Sequence, residues 1–350
     1  MLYGAEVKEE DQEITIDNFT DLIDPQSWEE FMPHGVSKQK FNAFKKYYEP
    51  DVFRAAGKRI RAMARAADAL PIEERIERIT AIFNTFRNPD KETVLTPWRV
   101  VNMHLSDCLG GYTFYDESYE NALTEPRFVD RGSVTAEVFD SESKVLEINS
   151  KSGLYPLYVA YSIYRSKLIA SDPLHLISEP SIEDQYRIWM KVIAENIFVI
   201  CKTKMAKSIT KRTLIGFQSG KVNAHCFDDL VNMLKNKSQQ FVEKVSRCSY
   251  WGLKGNGKMK FDAIVGNPPY QVMANGDANG SDPIYHLFID AGRAVCHRGT
   301  FIHPGRFLFN AGKTPKDWND KMLNDEHYKV VRYWANSKPF PLCRCTSRQI

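Results

Sequence analysis

The stretch Phe261-Asp-Ala-Ile-Val-Gly-Asn-Pro-Pro-Tyr270 is a short apolar run that ends in four residues able to do chemistry. Pro268 and Pro269 fix the backbone and have no N–H to donate. The Asn267 side-chain oxygen and the Pro268 carbonyl are then two acceptors at the carboxyl end of a strand, with the Tyr270 ring beside them. Such a pair suits a flat substrate that carries an amino group. Its two N–H bonds go to the two acceptors, and the nitrogen lone pair is drawn out of the ring's conjugation toward an electrophile. Tyr270 can stack on the substrate ring. The plain alternative is a Pro-Pro turn with Tyr270 as ordinary packing, since short motifs also match by chance.

A site of this kind needs elements to position it. Upstream, Thr96-Pro-Trp-Arg-Val-Val-Asn-Met-His-Leu105 reads as a helix start, with Thr96 as N-cap and Pro97 at the first helical position. Val100, Val101, Leu105 and Leu109 give that helix an apolar face. Free N–H groups at its N-terminus can bind an anion. Between the two motifs, Lys144-Val-Leu-Glu-Ile-Asn-Ser-Lys-Ser-Gly153 predicts a strand, a turn and a helix from about Leu154. The tyrosine-rich segment that follows, up to Tyr164, suits a buried helix better than a stacking platform.

Asn-Pro-Pro-Tyr after a strand resembles the signature of the amino methyltransferases, most specifically the gamma class of N6-adenine DNA methyltransferases. The Thr-Pro-x-x-Val-Val element ahead of it, in the same order, is similar to that class as well. The resemblance implies a doubly wound, Rossmann-like α/β sheet, S-adenosylmethionine as cofactor, and Asn267, Pro268, Pro269 and Tyr270 as the catalytic tetrapeptide. It implies that Thr96 and Pro97 start the helix that receives the cofactor's carboxylate. The class's cofactor loop usually runs Asp-Pro-x-x-Gly-x-Gly. Here Glu147 stands for the acid, Gly153 keeps the last glycine, and Lys151 replaces the glycine two residues earlier. Glycine there allows positive φ, so a lysine is expected to alter or weaken cofactor binding.

Val222-Asn-Ala-His-Cys-Phe-Asp-Asp-Leu230 resembles the segment ending in an acid that contacts the cofactor's adenine; Asp228 is the candidate, Asp229 the alternative, and a plain helix cap the bland reading. No acid fits the ribose position after the apolar run Ile197–Cys201. Asp282–Phe288 resembles the helix lining the cofactor pocket, and Gly299–Leu308 a later structural strand and loop. The implied partner is double-stranded DNA, with helicase, nuclease or specificity parts of a restriction system as candidates for others. Two competing functions are a non-catalytic DNA-binding or coupling remnant and a protein glutamine methyltransferase, whose amide nitrogen the same tetrapeptide would hold.

Composition agrees with a cytoplasmic enzyme. The hydrophobic fraction is 43% and the aromatic fraction 12%, enough for a sizeable core, and no apolar stretch reaches membrane-spanning length. The seven cysteines are scattered without metal-ligand spacing, so no metal site is expected. The net charge is only +3, but two runs carry cations without an acid. One holds Arg54, Lys58, Arg59, Arg61 and Arg65; the other holds Lys202, Lys204, Lys207, Lys211, Arg212 and Lys221. Each reads either as a solvated helix face or as a track for phosphates.

The chain divides at about residue 92. Before it, Ile72, Ile76, Ile79, Phe83 and Phe86 mark an amphipathic helix, whereas the first fifty residues are expected to be irregular. From 93 to 336 strands at Lys144–Ile148, Ile197–Cys201, Phe261–Val265, Thr300–His303 and Val330–Trp334 alternate with helices, the S-adenosylmethionine-dependent domain of the resemblance. Asn275–Ser281 is expected as a lid, and 337–350 as an irregular tail. The class continues into a target-recognition region, so the chain is expected to be truncated or part of a larger restriction–modification polypeptide.

Overall fold

The computed structural model describes residues 1–7, 12–86, 95–171, 180–255, 257–273 and 281–335. Four helices come first: α1 (Pro25–Phe31), α2 (Lys38–Phe44), α3 (Pro50–Ala67) and α4 (Ile72–Asn84). Helix α5 (Trp98–Cys108) leads into an antiparallel hairpin of β1 (Gly111–Tyr115) and β2 (Ala122–Val129), and then α6 (Ser133–Val138). The repeating part follows as β3 (Val145–Ile148), α7 (Leu154–Ser171), α8 (Ile182–Glu195), β4 (Ile197–Cys201), α9 (Lys204–Ile215) and β5 (Asn223–Cys226). After α10 (Leu230–Asn236) and α11 (Ser238–Val245) come β6 (Phe261–Gly266), a small ladder of β7 (Gln271–Met273) with β8 (Ser281–Pro283), and α12 (Tyr285–Val295). Strand β9 (Cys296–Phe301) and α13 (Lys316–Leu323) close the described chain.

The main sheet has five strands in the order β5-β4-β3-β6-β9, and every pairing in it is parallel. The doubly wound α/β fold expected from the sequence is therefore observed. The chain starts in the middle at β3, steps outward to β4 and β5, and returns to lay β6 on the other side of β3. Strand order reverses between β3 and β6, and a crevice opens outside the carboxyl ends at such a point.

Side-chain alternation explains how the sheet is covered. Val145, Ile197, Val199, Cys201, Ala263 and Val265 join a core with α5, α7, α8, α9 and the N-terminal helices. Leu146, Ile148, Phe198, Ile200, Phe261 and Ile264 face the other way, against α10, α11 and α12. Successive residues of a strand point to opposite faces, so strands covered on both sides are apolar throughout. Helix α7 is buried from Leu154 through Tyr164, and its tyrosines pack as core.

Two expectations need correction. The first fifty residues are ordered where described, and Tyr3, Ile14, Ile16, Phe19, Trp28 and Phe41 lie in the same core as α7 and α9. Their apolar residues follow no single period because α1, α2 and the turns between them each supply only one or two contacts. The second correction concerns Val330–Trp334, which is not a strand. Val330, Val331 and Tyr333 are exposed, and Arg332 instead reaches Asp107 of α5 at 2.6 Å. The division near residue 92, most of the expected lid and the tail lie outside the described residues. Among those residues, no helix is long and apolar enough to cross a membrane, and no His/Cys/Asp/Glu group has metal-holding geometry.

Candidate functional site

Strand β6 ends at Gly266, whose carbonyl accepts from Ile302 N at 3.1 Å, so the strand is held up to its last residue. Asn267 then leaves the sheet directly beside the reversal point. Its Nδ2 donates to Thr96 Oγ1 at 3.1 Å, which fixes the direction of the amide. The other end of the amide, Oδ1, is shielded from solvent and has no protein partner. A buried acceptor without a donor is costly in a folded chain, and such groups call for a ligand. Pro268 is buried, Pro269 half-buried, and the Tyr270 side chain 37% exposed. Tyr270 O accepts from Ile284 N at 3.0 Å, which ties the tetrapeptide to the segment entering α12.

The same hydrogen bond alters the reading of Thr96. Helix α5 begins one residue later than expected, with Pro97 in the cap position and no side-chain cap. Thr96 does not cap it, because its hydroxyl is engaged by Asn267. The two motifs, 171 residues apart, thus meet side chain to side chain, and the N-terminus of α5 stands at the crevice.

On the other wall, β3 carries Glu147, which pairs in register with Val265 of β6. A Cβ placed on Gly266 would lie 3.9 Å from Glu147 Cγ, an ordinary van der Waals contact, so the strand end and the acid stand side by side. Glu147 is 7% exposed and its Oε2 has no partner. Burial pushes its carboxyl up to about 8, and a hydrogen bond with Ser150 offsets only part of this. The turn to α7 uses positive φ at Asn149 (67°) and Gly153 (76°), and not at Lys151. The strain expected of Lys151 is therefore absent. Gly153 is needed for a further reason: a Cβ there would lie 3.0 Å from Thr210 Cα of α9. Ser150 Oγ and Thr210 Oγ1 lie 3.1 Å apart, and Thr213 Oγ1 donates to Ser152 O at 2.6 Å, so α9 clamps the loop from outside.

Asp228 follows β5, two strands away from β3, and is exposed. Asp229 occupies the cap position of α10 without capping it and accepts from Asn232 Nδ2 instead. Both acids share the carboxyl edge of the sheet with the other candidates, but nothing draws them into the network formed by Asn267 and Thr96.

Sequence reasoning missed two features. At the carboxyl end of β4, Thr203 caps α9 and donates through Oγ1 to Glu30 Oε2 of α1 at 2.5 Å, while Met205 N donates to Ser27 Oγ at 3.0 Å. An acid does stand at this strand end, supplied from 173 residues away. Beneath the crevice, His104 bridges Tyr155 OH (2.9 Å) and Thr300 Oγ1 (2.8 Å). Burial pushes the imidazole down to about 3, so the bridge is neutral. Burial also raises the Tyr155 phenol, and neighbouring Glu147 and Tyr270 add to the effect. The only local signal for either network was one histidine on an otherwise apolar helix face.

Asn267 Oδ1 and Glu147 Oε2, both buried without a protein partner, stand at the ends of the adjacent strands β6 and β3. No curated protein matches the chain. Residues 195–340, which include β4 to β9, Asp228 and the Asn267 tetrapeptide, match the family model described as Eco57I restriction-modification methylase.

Proposed function

We propose that the chain is an S-adenosylmethionine-dependent DNA methyltransferase of a restriction–modification system, acting on the N6 amino group of adenine, with its catalytic part between 93 and 336 and a helical region before it. The observation that carries this reading is the Asn267 amide: Nδ2 is spent on Thr96 and Oδ1 is left buried without a donor at the strand-order reversal. The family match over residues 195–340 supports the methylase class.

Asn267 Oδ1 and the Pro268 carbonyl take the two N–H bonds of the target amino group. Tyr270 stacks on the base, which must leave the duplex to reach a strand end. Holding both N–H bonds localises the nitrogen lone pair and points it along one line, a gain in orientation rather than in acid–base chemistry. S-adenosylmethionine supplies the electrophilic methyl group on a sulfonium. The residues present fit that group. Glu147 offers a buried acid with an orphaned oxygen, the Asn149–Gly153 turn lets backbone approach closely, and the N-terminus of α5 suits a carboxylate. Glu30 brings an acid to the end of β4, and Asp228 one to the end of β5. One of the grounds for the remnant reading was Lys151, whose backbone has no positive φ.

The test is Asn267→Ala in the full chain, followed by adenine methylation of duplex DNA and by calorimetric titration with S-adenosylmethionine. Methyl transfer lost with cofactor binding kept is expected; methylation retained by the variant would overturn the assignment.

A further inference from the structure

Three side chains beneath the crevice form a polar bridge that runs from one wall toward the other. Glu147 of β3, Val265 of β6 and Thr300 of β9 are register partners, so they stand in one row and point to the same face of the sheet. Two strand spacings put Glu147 and Thr300 roughly 10 Å apart. The row lies one residue short of Gly266, where β6 ends and the tetrapeptide begins. Against this face, His104 of α5 meets the Tyr155 hydroxyl at Nδ1 (2.9 Å) and the Thr300 hydroxyl at Nε2 (2.8 Å).

Each partner belongs to an element that carries part of the site. Tyr155 is the second residue of α7, the helix that follows the Asn149–Gly153 turn. Thr300 lies on the strand beside β6. Helix α5 follows directly on Thr96, which aims the Asn267 amide. The Tyr155 phenol feels the charge of Glu147 and of Tyr270, one from each wall.

All three side chains are buried. A neutral imidazole has one donor and one acceptor, so one hydroxyl donates to His104 and the other accepts from it. Such a bridge is a poor route to stability, because apolar groups of the same shape can replace a buried hydrogen-bonded set at little net cost. What it adds is position. Hydrogen bonds have set lengths and directions, whereas apolar contacts such as those of Val100 and Met103 with Ile302 let packed elements slide.

We propose that His104, acting through Tyr155 and Thr300, is a positioning residue for methyl transfer. The bridge sets the gap between the turn after β3 and the tetrapeptide after β6, and with it the line from the sulfonium methyl group to the amino nitrogen. The inference rests on the function proposed above. A misplacement of about 1 Å in such a line can cost on the order of a hundredfold in rate.

The test is steady-state methylation of unmethylated plasmid DNA with labelled S-adenosylmethionine by variants of the full chain. Tyr155→Phe and Thr300→Val each remove one bond and keep the shape. Each is expected to lower kcat about tenfold or more, with KM for the cofactor within about twofold of wild type. Either loss opens the same bridge, so the double variant is expected to be no slower than the slower single one, whereas unconnected effects would multiply. The triple variant Tyr155→Phe/His104→Leu/Thr300→Val is expected to melt near wild type and to stay slow. Wild-type kcat in the single variants, with or without a raised KM, would overturn the proposal. Losses that multiply, or a triple variant that regains its rate, would make the bridge ordinary packing and overturn it equally. The two readings part on the controls. Methylation that only Asn267→Ala loses leaves the function standing and removes the bridge; a wild type that methylates no DNA removes both.

Discussion

The two walls of the crevice are built on opposite logics. On the β6 side, Asn267-Pro-Pro-Tyr270 sets its own geometry: two prolines restrict the backbone, and a single side-chain bond to Thr96 aims the amide. On the β3 side, Asn149 to Gly153 owes its shape to its surroundings. Gly153 leaves no room for a Cβ, which would meet Thr210 Cα of α9 at 3.0 Å, and Thr213 of α9 is bonded to the Ser152 carbonyl, with positive φ at both ends of the turn. One wall is written locally and the other is assembled by packing. A change on the first should therefore remove chemistry and spare the fold, and a change on the second should disturb the fold before it reaches chemistry.

Asn267→Ala is the largest predicted break. On the function proposed, it removes the acceptor that holds the attacking nitrogen, and methyl transfer should then fall by at least about a hundredfold, on the scale of losing one preorganised polar group from an active site. The thermal midpoint should hold or rise slightly, because an unsatisfied buried Oδ1 goes with the side chain. A variant that melts well below wild type would show that the amide is a structural strut and that this wall is not locally written.

The same contrast explains what was legible in the sequence. The strands that were found, β3, β4 and β6, are mostly apolar, with one acid each in β3 and β6, and stand out against their flanks. The tetrapeptide could be read because its chemistry is carried by adjacent residues. Strand β5 is short and lies at the sheet's edge, and only its first two residues are buried, so it gives a weak signal. Val330–Trp334 gave a strong β signal yet finds no ladder among the described residues, a case of propensity overruled by tertiary context. Glu30 with Thr203, and His104 with Tyr155 and Thr300, join residues 51 to 196 positions apart. No window of sequence contains both partners of such a bond.

Gly153→Ala probes the packed wall. The new Cβ would meet backbone and side-chain atoms of α9 at 3.0 to 3.3 Å, at a residue whose φ of 76° disfavours any side chain. Strain in φ and overpacking together should cost about 3 kcal/mol. Urea unfolding should show that loss, with weakened cofactor binding accompanying it. Full stability would mean that α9 can retreat and that the loop is not clamped.

Glu147→Gln has a smaller effect whose size depends on pH. In the folded chain the carboxyl stays protonated up to about 8, whereas unfolded it ionises near its ordinary value of 4.5. The unfolded state releases its proton first as pH rises, so wild-type stability falls between those two values and levels off above the higher one. The glutamine variant lacks this fall. Its stability relative to wild type should therefore rise through that window and reach its maximum above it, as denaturation curves at several pH values would show. If Glu147 ionises to meet the cationic cofactor, wild-type binding near neutral pH should release a proton and the variant's binding should be weaker and release none. Titration in two buffers of different ionisation enthalpy separates these outcomes, and equal proton release from both forms would remove Glu147 from the cofactor's surroundings.

The smallest effect sharpens the comparison most. Lys151→Gly restores the glycine that the resembled class carries, and by sequence logic it should improve cofactor binding. The geometry argues otherwise. Lys151 has no positive φ to relieve, since Asn149 and Gly153 already supply both left-handed turns. A glycine there adds freedom to the unfolded chain, a loss of about 0.5 to 1 kcal/mol. Cofactor affinity measured by calorimetry should stay within about twofold of wild type, less than 0.5 kcal/mol. A tenfold gain would mean that the loop must rearrange around Lys151 to take its ligand, and that the packed wall moves while the proline-locked wall stays still.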